Sequence, residues 1–147
     1  MKNNKDTTNG IDWGIRLYTS GTCDNCGEVT TFLPYTCNAY TDGMSKYGHM
    51  EFQLVLCFSP EDIAYILNRL GERVQSGEVF HPGDLVSGIF KDCRLRLDEF
   101  KVSEQRVLRV IVPDENNHFP EEDCCNDIYK LQLLDTESLY WEGGVTS

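Results

Sequence analysis

Between residues 51 and 58 the chain carries its longest apolar run, Phe52-Gln53-Leu54-Val55-Leu56, with apolar side chains on both faces of an extended segment. Such a strand needs cover on both sides, so it is predicted to be central in its sheet. Before it, residues 35–50 are polar and hinged by Gly43 and Gly48, which predicts a loop delivering Asp42, His49 and Glu51 to the strand. After it the period becomes helical. Ser59 is a natural N-cap, Pro60 suits the first helical position, and Glu61 and Asp62 place carboxylates at the positive end of the dipole. Ile63, Ile66, Leu67, Leu70 and Val74 recur as one stripe until Gly77, predicting an amphipathic helix over about 60–76.

Alternation of period two marks the remaining elements. Residues 11–18 read as a first strand and Val29-Thr30-Thr31-Phe32-Leu33 as a second. His81-Pro82-Gly83-Asp84 has the punctuation of a type II turn. In Cys93-Arg94-Leu95-Arg96-Leu97-Asp98 the apolar residues face inward and Arg94, Arg96 and Asp98 outward. Residues 107–112 form another strand, joined to it as an antiparallel hairpin or meander through 102–105. Residues 128–134 return an apolar element expected to dock on the sheet edge, and Leu139-Tyr140-Trp141 is a last aromatic anchor. The pattern predicts an α+β fold, a mostly antiparallel sheet with one main helix packed on it. One domain is expected over 11–142, between a disordered segment 1–10 and a fraying tail 143–147.

Composition narrows the class. A chain of 147 residues, 40% hydrophobic, can bury a full core. The first ten residues hold no apolar core of a signal peptide, and no run approaches a membrane span, so a cytoplasmic protein without membrane contact is expected. The seven cysteines are then read as reduced thiols, Cys57 and Cys93 as core residues. A net charge of -11 disfavours non-specific nucleic-acid binding. Charge is uneven: residues 110–147 hold nine acids against Lys130, whereas residues 91–109 hold six bases against four acids. The basic strands, with Arg94, Arg96, Arg106 and Arg109, could hold a small anion or pair across the sheet.

Two groups of residues could carry chemistry. Cys23-Asp24-Asn25-Cys26-Gly27 has zinc-knuckle spacing, with Cys37, Cys124 or Cys125 to complete a tetrahedral site, making zinc a candidate cofactor. His49 with Glu51 and Asp42 could supply a general base and its orienting carboxylate, or a metal site when joined by Asp114 and His118. No phosphate-binding glycine loop, dinucleotide fingerprint or nucleophile elbow is present.

Several segments taken in order are similar to the bacterial domain of unknown function 4262 family. They are Tyr40-Thr41-Asp42-Gly43-Met44, Tyr47-Gly48-His49-Met50-Glu51, Ile66-Leu67-Asn68 with a glycine-bounded helix end, Phe80 to Gly83, and Pro113-Asp114 leading to Phe119-Pro120. The resemblance spans roughly residues 30–135, with Met44 where the family usually has leucine and Met50 where it has proline. It implies a compact α+β domain of bacterial or phage origin and supplies no activity. The expectation is therefore a non-enzymatic binding protein, by analogy of the kind used in immunity or phage–host conflict. Its partner would be a protein or small anion bound through Tyr40, Thr41, Asp42, His49, Glu51, Arg94 and Arg96, with a homodimer allowed. The alternative is a metal-assisted hydrolase using His49, Glu51, Asp114 and His118.

Overall fold

The computed structural model describes residues 11–22 and 29–142; the end segments 1–10 and 143–147 lie outside them, as do Cys23 and Cys26. In chain order the strands are β1 (Gly14–Tyr18), β2 (Gly21–Thr22), β3 (Val29–Phe32), β4 (Thr36–Asp42), β5 (Glu51–Leu56), β6 (Leu85–Val86), β7 (Leu95–Val102), β8 (Gln105–Ile111) and β9 (Tyr140–Glu142). Helix α1 (Pro60–Gln75) follows β5, and the short helix α2 (Asp127–Lys130) follows β8. Among the described residues these strands form a six-stranded sheet, β1-β4-β5-β8-β7-β6, and a three-stranded sheet, β9-β3-β2. All pairs are antiparallel except β5 with β8, which run parallel in the register Phe52↔Leu108. The class is α+β, as the periodicities predict. No helix among the described residues is long and apolar enough to cross a membrane.

The predicted helix forms because its cap and its stripe agree. Ser59 accepts the Asp62 N–H through its hydroxyl at 3.2 Å, and Ile63, Ile66, Leu67, Leu70 and Val74 are all buried. They pack with Phe52 and Leu54 of β5, Leu95 and Leu97 of β7, and Leu108 and Val110 of β8 in one core. Trp13 locks this layer from the sheet's first edge. Its indole N–H donates to Asn68 Oδ1 at 2.9 Å, and the ring lies so close to Gly71 that a Cβ there would come within 2.5 Å of it. Gly43 meets the other side of Trp13 at φ 141°, so the tryptophan is wedged between two glycines.

Three expectations are corrected. The polar stretch after Tyr35 is a strand, β4, through Asp42, with the loop confined to a 3-10 turn at Met44–Tyr47. Its polar residues hid it, because they are buried in mutual hydrogen bonds: Asn38 accepts from Gln53 at 3.0 Å and Thr41 donates to Glu51 at 2.7 Å. Residues 128–134 sit over the two middle strands and not on an edge. The Gln132 amide accepts from the Val112 N–H at 2.7 Å and donates to the Val112 carbonyl at 2.8 Å, pairing like a peptide group. Cys57, expected in the core, is exposed, while Cys37 is fully buried there.

This second face of the sheet is polar at its centre. Arg109 of β8 has no solvent exposure and donates to Gln53 Oε1 at 2.8 Å, to the Gln132 and Leu134 carbonyls at 2.7 and 2.5 Å, and to Thr136 Oγ1 at 3.1 Å. Its guanidinium also stacks 3.6 Å over the Phe100 ring. Burial pulls its pKa down to about 10, with Asp135 and Asp98 opposing the fall. Arg109 is therefore a structural hub and not part of an exposed anion site. Beside it, Phe32, Val55 and Leu139 join the small sheet to the large one.

Gly71→Ala provides a test of the Trp13 wedge. Alanine favours an exposed helix interior by about 1 kcal/mol. Here it is expected to destabilise the protein by about 1–3 kcal/mol in denaturant titration through overpacking. An unchanged or raised midpoint would show that the indole can move aside.

Candidate functional site

Glu51 opens β5 facing the turn that precedes it, and its carboxylate is buried. It accepts from Thr41 Oγ1 at 2.7 Å and from the backbone N–H groups of Gly43, Met44 and Ser45 at 3.1, 3.0 and 3.3 Å. Thr41 in turn accepts the Phe52 N–H at 2.9 Å. Four donors on one carboxylate saturate it, so Glu51 holds the β4–β5 turn closed.

His49 has a separate set of partners. Its Nδ1 lies 2.8 Å from the Met50 carbonyl and its Nε2 accepts the Phe80 N–H at 3.0 Å, which requires the neutral tautomer protonated on Nδ1. The ring also packs on Phe52 and Phe80. Asp42 follows Thr41 in β4 and so points to the opposite face from it, where it pairs with Arg16 at 2.8 Å. The structure therefore does not gather Asp42, His49 and Glu51 around one centre. Tyr40, likewise, stacks on Tyr18 at 6.0 Å away from them.

Beyond β8 the chain enters a tight loop built on Asp114. Its carboxylate accepts the N–H groups of Asn116 and His118 through Oδ1 and of Asn126 through Oδ2, each at 2.9 Å. These backbone donors, His118 foremost, followed by Asn126 and Asn116, hold its pKa below the usual carboxylate range. His118 Nδ1 lies 3.7 Å from Asp114 Oδ1. Arg96 fastens the loop to β7, reaching Glu121 at 2.7 Å and Asp98 at 2.9 Å while lying 5.1 Å over Phe119. Glu121 first, then Asp98, raises the Arg96 pKa. Of the sulfur candidates, Cys37 sits in the core with its thiol pushed up to about 12 by burial. Cys125 is buried and donates to the His118 and Asn126 carbonyls, and Cys124 is exposed.

The Asp114 loop forms one wall of a cleft of about 480 Å³, and residues 87–94 form the other. The cleft opens where the parallel strands β5 and β8 end, the side of a sheet on which connecting loops diverge and leave room for ligands. Lys91, Arg94, Asp92, Ser87 and Asn117 line it, with Phe119 and Pro113. An adjoining recess of about 170 Å³ is walled by Phe58, Phe90 and Tyr129, the two phenylalanine rings stacked at 5.7 Å. Among the described residues Arg94 makes no hydrogen bond or ion pair, and Lys91 lies 5.0 Å over the Phe90 ring. Both Lys91 and Asn117 hold positive φ, 51° and 64°, a conformation that Asn accepts readily and Lys does not. Cys93 borders the cleft, but burial raises its pKa, the reverse of an activated nucleophile. Of the residues expected from sequence to bind a partner, Arg94 alone is placed on this cleft. Lys91 and Asn117 were missed, and nothing in the local pattern marks them apart from an Asn pair where a turn needs positive φ.

The profile of the domain of unknown function family DUF4262 matches residues 28–126, and the chain belongs to that family. No curated protein and no solved structure matches the chain. The matched segment contains the Glu51 turn, helix α1 and both walls of the cleft.

Two expected outcomes follow from the buried carboxylates. Glu51→Gln places an amide NH2 against N–H donors and is expected to destabilise by about 2–4 kcal/mol, since each charge-assisted bond lost is worth about 1.5–3 kcal/mol. A loss under about 0.5 kcal/mol in urea titration would show the turn held by other means. Asp114, with its pKa depressed on folding, stabilises the protein above the unfolded carboxylate pKa of about 3.9, and that contribution disappears as pH falls through the folded value. Asp114→Asn should therefore be less stable near neutral pH and show a shallower fall in stability below about pH 4. Parallel stability–pH curves for the two proteins would contradict this.

Proposed function

We propose that this member of the DUF4262 family is a binding protein for a small organic anion, a carboxylate or phosphate carried on an apolar body. The observation that carries the reading is the cleft itself, where Lys91 and Arg94, which is unpaired among the described residues, stand at the mouth of a recess floored by stacked Phe58 and Phe90. A planar guanidinium recognises a carboxylate or phosphate through paired N–H groups, and the aromatic floor takes the apolar part. In a chain with a net charge of -11, two cations that make no ion pair among the described residues, against the single carboxylate of Asp92 on the cleft lining, favour an anionic occupant.

The hydrolase alternative requires His49, Glu51, Asp114 and His118 to converge. What weighs against it is that Glu51 and Asp114 spend their oxygens on backbone donors in separate turns, and His49 spends both ring nitrogens on backbone groups. The binding reading asks nothing of these residues beyond shaping the fold.

Phenyl phosphate serves as a probe because it combines both features. Its titration, followed by amide nitrogen–proton correlation spectra, is expected to shift resonances of residues 87–94 and 113–119 selectively. Lys91→Ala with Arg94→Ala should weaken binding at least about tenfold. Both side chains are exposed, so the unfolding midpoint should stay within about 0.5 kcal/mol of the parent. Shifts confined to other surfaces, or undiminished affinity in the double variant, would overturn the reading.

A further inference from the structure

The loop that walls the cleft carries a second constellation that the anion reading does not use. Ligand atoms of His118, Glu122 and Cys124 lie within 4.8 Å of one another. An imidazole, a carboxylate and a thiol form a mixed nitrogen, oxygen and sulfur set suited to zinc and foreign to calcium or magnesium, which take oxygen ligands. Bonds of about 2.0–2.3 Å to a tetrahedral zinc set ligand atoms about 3.3–3.8 Å apart. Glu122 and Cys124 are exposed, so side-chain rotation closes the remaining distance.

His118 adds an independent observation. Among the described residues its buried Nδ1 has no hydrogen-bond partner and lies 3.7 Å from Asp114 Oδ1, while Asp114 is fixed by three backbone N–H groups. Asp114 Oδ1 is beyond hydrogen-bond distance of this nitrogen but stands on the side from which a carboxylate can orient a metal-binding imidazole. With Nδ1 turned to Asp114, Nε2 is the nitrogen left to a ligand. Glu122 is held as well, accepting the Phe119 N–H through Oε2 at 2.7 Å, and among the described residues its Oε1 makes no hydrogen bond. Cys125, by contrast, turns its thiol to the His118 and Asn126 carbonyls and does not join the set.

We propose that His118, Glu122 and Cys124 bind a zinc ion, with Asp114 orienting the histidine and a water or an additional side chain in the fourth position. The thiol proton of Cys124 is released to solvent on binding, so uptake strengthens as pH rises. All three ligands lie on the loop between β8 and α2, so the ion clips one wall of the cleft. The site stands whether or not the cleft takes an anion.

Protein prepared without chelator and equilibrated with Zn²⁺ is expected to retain one zinc per chain by native mass spectrometry and elemental analysis. Replacement by Co²⁺ should give a thiolate-to-cobalt charge-transfer band. That band should vanish in Cys124→Ser and persist in Cys125→Ser and in Cys23→Ser with Cys26→Ser. Glu122→Ala and His118→Ala are each expected to weaken zinc binding at least about tenfold, which keeps the test informative should one variant fold poorly. Absence of zinc under these conditions, or a thiolate band that survives Cys124→Ser, would overturn the proposal.

Discussion

A guanidinium sealed from solvent in the middle of the sheet constrains much of this architecture. Leaving the Arg109 charge uncompensated would cost several kcal/mol, so acceptors must surround it. Gln53 supplies one from the neighbouring strand, and the Gln132 and Leu134 carbonyls with the Thr136 hydroxyl supply the others from across the face. A regular helix or strand over residues 131–136 would already have used those carbonyls. The irregular path of this segment, short 3-10 turns at Leu131–Leu133 and Thr136–Ser138, is thus what allows it to cover a charged centre. The matched family segment ends at residue 126, so the cover for Arg109 comes from chain beyond it.

Buried carboxylates play the matching role at the sheet's ends. Glu51 closes the turn before β5 and Asp114 closes the loop after β8, each by collecting backbone N–H groups that no ladder satisfies. Because β5 and β8 are parallel neighbours, these two carboxylates serve opposite ends of the same central pair. The device stiffens both rims by committing oxygens of both acids to backbone donors.

What is left exposed after this internal pairing is informative. Arg16 is matched by Asp42, Arg73 by Glu78, Arg96 by Asp98 and Glu121, and Arg106 by Glu99. Among the described residues Arg69 and Arg94 lack such a match; Arg69 lies over the Tyr65 ring, and Arg94 stands on the cleft where Lys91 and Asn117 hold positive φ. The Asp114 loop meanwhile presents Asn117 and Phe119 to the cleft and His118, Glu122 and Cys124 to a common point. A single stiffened loop thereby links ligand recognition to metal binding in the two proposals.

Local pattern was enough for the elements whose burial follows from period. Helix α1, with its Ser59 cap and its Ile63 to Val74 stripe, was legible because a 3.6-residue repeat names the buried face outright, and the two-residue repeat did the same for Leu95 and Leu97. The antiparallel hairpin of β7 and β8 followed from two such runs joined by a short turn. The parallel pairing of β5 with β8, the strand β4 and the roles of His49, Glu51 and Asp114 were not legible. Period reports which side of an element is buried; it does not report which distant group meets it there. Polar residues such as Asn38 and Thr41 look like loop until a partner is known, and Arg109 finds Gln53 across 56 positions of sequence. Tertiary structure decided those cases because a buried polar group is tolerable only with its hydrogen bonds made, and the partners are brought together by the fold alone.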